Sequence, residues 1–310
     1  MPELPEVTTT VKGLQRVLIG LVITDVWTDI AREVPSLKHF KGTLKETSFY
    51  KKFKKEVIGS KITKVERRAK NILIHLSNNK TILIHLKMTG HIIFGEYIFK
   101  KKENIWVPSP TERKALFDPF NRFIHVVFSL SNNKQFVFCD ARKFGKVTLF
   151  ETNKSDETTH LFGIGPEPLE ESFTFEQFKN QLSKKPAGNI KTVLMDQKII
   201  AGIGNIYSDE MLFISGIHPE SKIKEIPNNK LKKLYIAMKD VLNKGIDFGG
   251  DSMSDYRNID GLPGDFQNQH NVYRKTKEIC SKKSCHGVIL RKVVNGRSAH
   301  YCSTHQILFN

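Results

Sequence analysis

The first six residues, Met-Pro-Glu-Leu-Pro-Glu, bring an amine nucleophile and two carboxylates together. Removal of Met1 would leave Pro2 as a free secondary amine, and an α-amino group has a pKa of ~8, well below that of lysine. Such an amine can attack an aldehyde-level carbon and form an iminium, with Glu3 and Glu6 available as acid and base. Composition alone leaves the plainer alternative open, an ordinary N-terminus in which Glu6 complements a helix dipole.

The C-terminus carries a second chemical constellation. Four residues separate Cys280 from Cys285, sixteen separate Cys285 from Cys302, and two separate Cys302 from His305. Soft thiolates with one imidazole at two short spacings suit tetrahedral zinc. Because four protein ligands fill the coordination sphere, we expect one structural zinc ion and no open position for catalysis.

The residues between the two ligand pairs predict a β-hairpin that turns at Asn295 and Gly296, a type I′ signal. His286 and His300 are alternative ligands, although their positions break the two-plus-two spacing. Arg297 follows the tip, where a guanidinium can grip a phosphate or enter a minor groove, or can simply be solvated.

Elements that position these groups follow from the hydrophobic pattern. Apolar residues at helical spacing predict an N-terminal helix that stops at Gly20. Short alternating runs then continue to about residue 150, separated by Ser-Asn-Asn turn signals, and they predict an antiparallel β-sandwich or barrel. The predicted strands are Lys61–Glu66, Ile72–Leu76, Thr81–Leu86, Ile92–Tyr97, Phe123–Phe128, Gln135–Cys139 and Val147–Phe150.

The second half of the chain has helical periodicity, so we predict an α+β multidomain protein. An N-terminal helix with a sandwich would occupy 1–150, and 151–163 would be a polar hinge linker. A helical domain would span 164–275, with a long functional or mobile loop at about 247–273. The zinc-bearing hairpin would form a C-terminal domain at 276–310.

Charge and composition limit the function classes. Lys and Arg number 49 against 32 Asp and Glu, a formal net charge of +17, which favours a polyanionic partner such as nucleic acid or an anionic membrane surface. Hydrophobic residues at 39% and 21 Phe argue against a disordered basic tail. No apolar run approaches the ~20 residues of a membrane helix, and no signal-peptide pattern opens the chain, so a cytosolic protein without a membrane partner is expected.

Seven motifs occur in one order along the chain. They are the N-terminal Met-Pro-Glu-Leu-Pro-Glu-Val, Arg67-Arg68-Ala69-Lys70, Met88-Thr89-Gly90, Asp140-Ala141-Arg142-Lys143-Phe144-Gly145, Gly163-Ile164-Gly165-Pro166-Glu167-Pro168-Leu169, Gly202-Ile203-Gly204-Asn205-Ile206-Tyr207 and the zinc hairpin. In this order the whole chain resembles the formamidopyrimidine-DNA glycosylases, although the family usually has four cysteines at the metal.

The resemblance implies a bifunctional DNA glycosylase and AP lyase of base excision repair, acting on oxidised purines such as 8-oxoguanine and formamidopyrimidines. Pro2 would attack C1′ of the damaged nucleotide and form a Schiff base, which β- and δ-elimination would resolve. Glu3 would act as acid and base at the deoxyribose, and Glu6 would orient the N-terminal helix. Lys70 and Arg297 would complete the catalytic set.

Base flipping leaves a hole in the duplex that side chains must fill. The resemblance implies that Met88, Arg142 and Phe144 fill it, the Arg pairing with the orphaned base and the Phe unstacking its neighbour. The alternative is that Met88 and Phe144 are ordinary core residues. Lys87 stands where the family usually has glycine.

Further implied features concern binding and partners. DNA contacts are implied for His125, Lys191, Asn205 and Tyr207, with Asn205 in a helix-two-turns-helix element. The loop Asp247–Tyr273 would cap the flipped base, with residues 251–256 lining the pocket. We expect a monomer acting on damaged double-stranded DNA in a bacterial cytosol or nucleoid. Two alternatives remain open, an endonuclease VIII-type glycosylase for oxidised pyrimidines and a non-catalytic zinc-finger nucleic-acid binder.

Overall fold

The computed structural model describes residues 1–33, 41–253 and 255–310. Ser254, in the predicted capping loop, therefore lies outside the described residues. The α-helices are α1 Leu4–Leu18, α2 Thr47–Val57, α3 Phe175–Leu182, α4 Ile190–Leu194, α5 Asn205–Ser215 and α6 Asn228–Asp247. The strands are β1 Ile23–Thr28, β2 Ile62–Arg68, β3 Asn71–Leu76, β4 Lys80–His85, β5 Gly90–Gly95, β6 Tyr97–Lys100, β7 Ile105–Pro108, β8 Ile124–Leu130, β9 Gln135–Asp140, β10 Lys146–Glu151, β11 Ile289–Val294 and β12 Arg297–Cys302.

The chain divides into two compact units. The first contains Met1–Phe162 and Phe248–Asp265, and the second contains Gly163–Asp247 and Phe266–Asn310. Phe248–Asp265, which the sequence-based division assigned to the helical domain, groups with the sandwich, and the predicted metal-binding hairpin groups with the helices. The predicted boundaries at 150, 163 and 275 stay predictions.

The first unit is an antiparallel β-sandwich with two helices. One sheet has the strand order β1-β8-β9-β5 and the other has β10-β4-β3-β2. Val126 and Phe128 from the first sheet, and Ile74 and Ile82 from the second, are fully buried in one apolar cluster. Burying such side chains contributes roughly 1.5–3 kcal/mol each, which makes this shared layer the core of the unit.

Helix α1 packs on this core because its apolar residues recur at helical spacing. Val7, Leu14 and Leu18 are fully buried in the same cluster. Glu3 is the N-cap, and Gly20 adopts a φ of +90° just past the helix, the left-handed conformation that ends it. The sequence-based prediction of this helix and its stop is confirmed.

The predicted strands are all present with ends within two residues of those predicted, but helix α2 and strands β1, β6 and β7 were not anticipated. Helix α2 buries only Phe53 and Val57 on an otherwise Lys-rich surface, so its amphipathic signal is narrow. Strand β1 pairs with β8, and β6 with β7 forms a separate hairpin. The predicted linker contains the 3-10 helix Thr152–Glu157.

In the second unit, helices α3 to α6 lie where the periodicity placed them. Helix α5 starts after the Gly-Ile-Gly sequence and ends at Gly216, whose φ of +71° is left-handed. The hairpin β11-β12 pairs Val294 with Arg297 around Asn295 and Gly296, which have φ values of +45° and +76°. Both central residues at positive φ confirm the predicted type I′ turn.

Candidate functional site

Pro2 and Glu3 directly precede α1, and Glu6 lies in its first turn. Pro2 is buried, and Glu3 and Glu6 are 3% and 2% exposed. The Glu3 N–H donates to Glu6 Oε2 at 2.6 Å, so the helix cap ties the two acids together. The chain therefore presents a proline nitrogen, once Met1 is removed, within one residue of a carboxylate that the helix holds in place.

Glu6 also accepts hydrogen bonds from the segment that follows α6. The Asp251 N–H donates to Glu6 Oε1 at 2.7 Å, and the Tyr256 hydroxyl donates to the Glu6 carbonyl at 3.0 Å. Gly250 has a φ of +89°, and a Cβ there would come within 2.8 Å of Glu6 Cγ, so only glycine fits this close approach. Glu6 thus acts as a positioning group, accepting hydrogen bonds from both segments.

The predicted capping loop is irregular but extensively packed. Ile259 is 2% exposed and accepts a hydrogen bond at its carbonyl from the Phe94 N–H at 2.9 Å. Ideal Cβ placement at Gly13 of α1 would put that atom 2.7 Å from Ile259, so this segment fits closely on the helix. Phe248–Asp265 is therefore part of the first unit, while the rest of the predicted loop, from Phe266, is part of the second.

Lys70 lies in the turn between β2 and β3, after Ala69 at a φ of +54°. It is 5% exposed, so it differs from the exposed lysines of the surface. His85, at the end of β4, pairs with Asn71 in the ladder and therefore lies next to this turn. Desolvation lowers the pKa of His85 to about 3, and the cations Lys87 and Lys70 add to the effect, which keeps the imidazole neutral.

Met88, Arg142 and Phe144, the candidates for filling the void in the duplex, lie on two loops of the first unit. One carboxylate joins these two loops. Asp140 accepts hydrogen bonds from the Thr89 hydroxyl and from the Gly145 N–H. Since Gly90 pairs with Asp140 in the ladder, the loop carrying residue 88 adjoins the loop carrying residues 142 and 144. Asp140 therefore fixes the two loops against each other.

The three candidate side chains on these loops face solvent. Met88 is 39% exposed and Phe144 is 49% exposed, so the alternative that they are core residues is wrong. The Arg142 guanidinium lies over the Phe144 ring, 4.6 Å from its centroid. An apolar, a cationic and an aromatic group are thus presented together, which is the combination that a duplex void requires.

His125 lies near the start of β8 and is 7% exposed. Its Nδ1 bonds Asp29 Oδ1 at 2.9 Å, and Lys143 Nζ lies 3.9 Å from Asp29 Oδ2. Among the described residues, the buried Nε2 of His125 has no hydrogen-bond partner. The aspartate orients the ring so that Nε2 is the atom left for a ligand, which is compatible with the expected DNA contact.

In the second unit, Lys191 and Arg297 border one cavity of about 280 Å³. Lys191 is 1% exposed, and its ammonium bonds Asp209 and, at 2.8 Å, the Ser298 carbonyl of the hairpin. Its structural role is therefore a buried ion pair that fastens β12 to α5, and its expected DNA contact stays a prediction. Arg297 is exposed at the hairpin tip, as predicted.

Asn205 and Tyr207 open helix α5 but differ in accessibility. Asn205 Oδ1 is buried and has no partner among the described residues, at a helix N-terminus where backbone amides are unsatisfied. Tyr207 is 0% exposed, and its ring stacks on Phe266 at a centroid distance of 4.9 Å. Because Oδ1 can only accept, the Asn205 NH₂ group and the backbone N–H groups at this helix start are the donors suited to a phosphate. The Tyr207 ring serves the core.

The metal constellation forms as predicted. The ligand atoms of Cys280, Cys285, Cys302 and His305 all lie within 4.8 Å of one another. His305 turns Nδ1 toward the sulfurs, because its Nε2 bonds the Phe213 carbonyl at 3.0 Å. Burial raises the pKa of the Cys280 thiol to about 11, so a metal bound at neutral pH must displace that proton. Three sulfurs and one imidazole suit a four-coordinate metal ion.

The two alternative histidine ligands have other surroundings. His300 is buried, and its Nδ1 bonds Asp209 Oδ2 at 2.9 Å. His286 is exposed and is not among the four clustered ligands. His305 is therefore the fourth member of the cluster, as the spacing predicted.

Comparison with known proteins then decides the family. The formamidopyrimidine-DNA glycosylase N-terminal domain matches residues 1–147, and the H2TH domain of the same enzymes matches residues 164–257. The formamidopyrimidine-DNA glycosylases of Pelotomaculum thermopropionicum and Bacillus subtilis are 37% and 34% identical, over 99% of this chain and 99% of each relative. The chain belongs to the formamidopyrimidine-DNA glycosylase family. It is accordingly a DNA glycosylase of base excision repair.

Solved structures agree with this assignment. The Lactococcus lactis Fpg in complex with DNA containing an abasic site has a TM-score of 0.80 at 29% identity, covering 98% of this chain and 99% of that one. The MutM (Fpg) protein of Thermus thermophilus has a TM-score of 0.76 at 30% identity, covering 98% of both chains. Within the described residues of this family member, no helix is long and apolar enough to cross a membrane.

Several acids that organise this glycosylase were not identified from the sequence. Asp29 orients His125, and Asp140 joins the loops that carry Thr89 and Gly145. Asp209 is fully buried and bonds the Lys191 ammonium. Glu210 accepts from three successive backbone N–H groups, of Asn271 at 2.8 Å, Val272 at 3.0 Å and Tyr273 at 2.9 Å. The available signal in the sequence was an Asp-Glu pair inside the otherwise uncharged helix α5, because acidic side chains are buried only where they have partners.

Proposed function

We propose that this enzyme removes oxidised purines, 8-oxoguanine and formamidopyrimidines, and then cleaves the DNA strand as an AP lyase. The observation that carries the proposal is the placement of Pro2 beside the capped carboxylates Glu3 and Glu6. After loss of Met1, the Pro2 nitrogen uses its lone pair to attack C1′. The bond from C1′ to the base breaks, the base leaves with a proton, and the Pro2 nitrogen loses its own. The C1′–O4′ bond of the sugar then opens, with a proton to O4′, and the iminium forms.

The iminium then acts as an electron sink. Loss of a C2′ proton expels the 3′ phosphate, and a second elimination expels the 5′ phosphate. Glu3 is the nearest acid in the sequence and supplies and accepts protons at the deoxyribose, while Glu6 positions it. Lys70 and Arg297 contribute cations for phosphates or the departing base, and Asn205 contributes a phosphate contact.

The exposed Met88, Arg142 and Phe144 support a duplex substrate with an extruded nucleotide. These side chains enter the hole, at a cost of a few kcal/mol for unstacking that their own contacts offset. The metal is proposed to be one zinc ion held by Cys280, Cys285, Cys302 and His305. It supplies folding energy to the hairpin.

Borohydride trapping on duplexes that carry 8-oxoguanine tests the proposal. Protein whose Met1 has been removed, checked by mass spectrometry, should give a covalent adduct. A control with a retained Gly-Ser extension, in which the Pro2 nitrogen is an amide, should give none while duplex binding survives.

Three outcomes separate the alternatives. No adduct with any lesion overturns the glycosylase and lyase assignment. Trapping only with an oxidised pyrimidine favours the endonuclease VIII-type reaction. An unchanged adduct from the extended protein places the nucleophile elsewhere than at Pro2.

A further inference from the structure

Lys87 occupies a backbone conformation that lysine rarely adopts. Its φ is +57°, in the left-handed region that favours glycine. The Lys87 N–H donates to Nδ1 of the neutral His85 at 3.0 Å, which holds this conformation in place. A non-glycine residue at such a position costs free energy, and strain of this kind concentrates at functional sites. The lysine side chain therefore requires an explanation beyond the turn itself.

Two further lysines lie at the same end of the sandwich. Lys146 begins β10 and is paired with His85, the residue that binds the Lys87 backbone. The Leu44 N–H donates to the Val147 carbonyl at 3.0 Å, which brings Lys45 alongside β10. Three separate segments thus each place one lysine at the same end of the first unit.

The three lysines lie close enough for their charges to act on one another, and Lys45 is buried. Burial, with additions from Lys146 and Lys87 and against the opposing charge of Asp140, lowers the pKa of Lys45 to about 8. Burial and Lys146 also lower the pKa of Lys87. The Asp140 carboxylate already accepts hydrogen bonds from the two void-filling loops. An external anion would relieve this repulsion.

We propose that Lys45, Lys87 and Lys146 form a binding site for one backbone phosphate of the damaged duplex. This inference rests on the proposed function, which supplies the polyanion. Lys87 directly precedes Met88, and Lys146 is the second residue after Phe144. The bound phosphate therefore lies close to the nucleotides that the void-filling side chains contact, and it fixes the backbone while the base is extruded.

The test compares Lys87→Gly, Lys146→Met and their double variant with the wild type on a duplex with a tetrahydrofuran abasic analogue. Lys102→Met, which removes an exposed lysine from the turn between β6 and β7, is the matched control for charge. The double variant should bind about tenfold more weakly, and its slope of log K against log salt should fall by about 1. Lys102→Met should match the wild type in both affinity and slope.

Lys87→Gly distinguishes a DNA-binding role of Lys87 from a structural one. Because glycine accepts a φ of +57°, this variant should unfold at a higher temperature than the wild type while binding DNA less tightly. A structural role for Lys87 predicts no loss of affinity. Replacing single phosphates with methylphosphonates should reveal one position that weakens the wild type but has no effect on the double variant.

The outcomes are distinguishable from failure of the proposed function. If the wild type forms the borohydride adduct and the double variant binds with wild-type affinity and slope, the phosphate site is wrong and the glycosylase assignment stands. If every methylphosphonate affects both proteins equally, the site is likewise wrong. If the wild type forms no adduct but the variants lose affinity as stated, the proposed chemistry fails and the phosphate site stands.

Discussion

At the scale of single residues, the site depends on carboxylates whose partners are backbone amides. Glu6 accepts from Glu3 at 2.6 Å and from Asp251 at 2.7 Å, so one side chain fixes the nucleophile's helix and the segment packed on it. Asp140 does the same for the loops that carry Met88 and Phe144. In each case one side-chain carboxyl group accepts from several donors, and hydrogen bonds to a carboxylate are stronger than those between neutral groups.

Glu6→Gln should therefore destabilise the protein. The amide keeps one acceptor oxygen but turns an NH₂ group toward a backbone N–H, which leaves a buried donor unsatisfied. We expect the free energy of unfolding to fall by about 2 kcal/mol, measured by urea denaturation. Glu103→Gln, at an exposed glutamate, should change it by less than about 0.5 kcal/mol. Equal values for the two variants would contradict the positioning role of Glu6.

At the scale of elements, local sequence signals predict a structure correctly where the residues that contact each other are close along the chain. The four predicted metal ligands occur as two short pairs around a hairpin whose turn is encoded by Asn295 and Gly296, and the structure brings all four together. The Lys191–Asp209 ion pair was missed because it joins α4 to α5, which no periodicity predicts. Helix α2 was missed because only Phe53 and Val57 are buried.

Removal of the metal should act on this hairpin element first. After chelation at neutral pH, amide hydrogens of β11 and β12 should lose protection from exchange, while those of α1 keep theirs, because the four clustered ligands lie in the C-terminal part of the chain. Cys285→Ser should reproduce the effect without a chelator. Elemental analysis should find one zinc ion per chain before treatment. Unchanged hairpin exchange after verified metal loss would contradict a structural role.

At the scale of the whole molecule, the net charge of +17 and the local sites have separate tasks. Distributed lysines attract any duplex through counterion release, which carries no information about damage. In the proposed function, the void-filling loops and the N-terminal amine act only where a nucleotide can be extruded. The charge therefore sets how strongly DNA is held at low salt, and the loops set where the enzyme stops.

This division predicts different salt responses for two duplexes. Binding to undamaged DNA should weaken by about 10³-fold or more between about 50 and 200 mM salt, as expected when about six phosphates or more are neutralised. Binding to an abasic duplex should weaken in parallel, because both duplexes offer the same phosphates, including that of the proposed lysine site, and the extra contacts from Met88 and Phe144 are not ionic. The ratio of the two affinities should therefore vary by less than about threefold, measured by fluorescence anisotropy at several salt concentrations. A ratio that collapses with salt would mean that damage recognition itself is carried by charge, and the void-filling assignment would then be wrong.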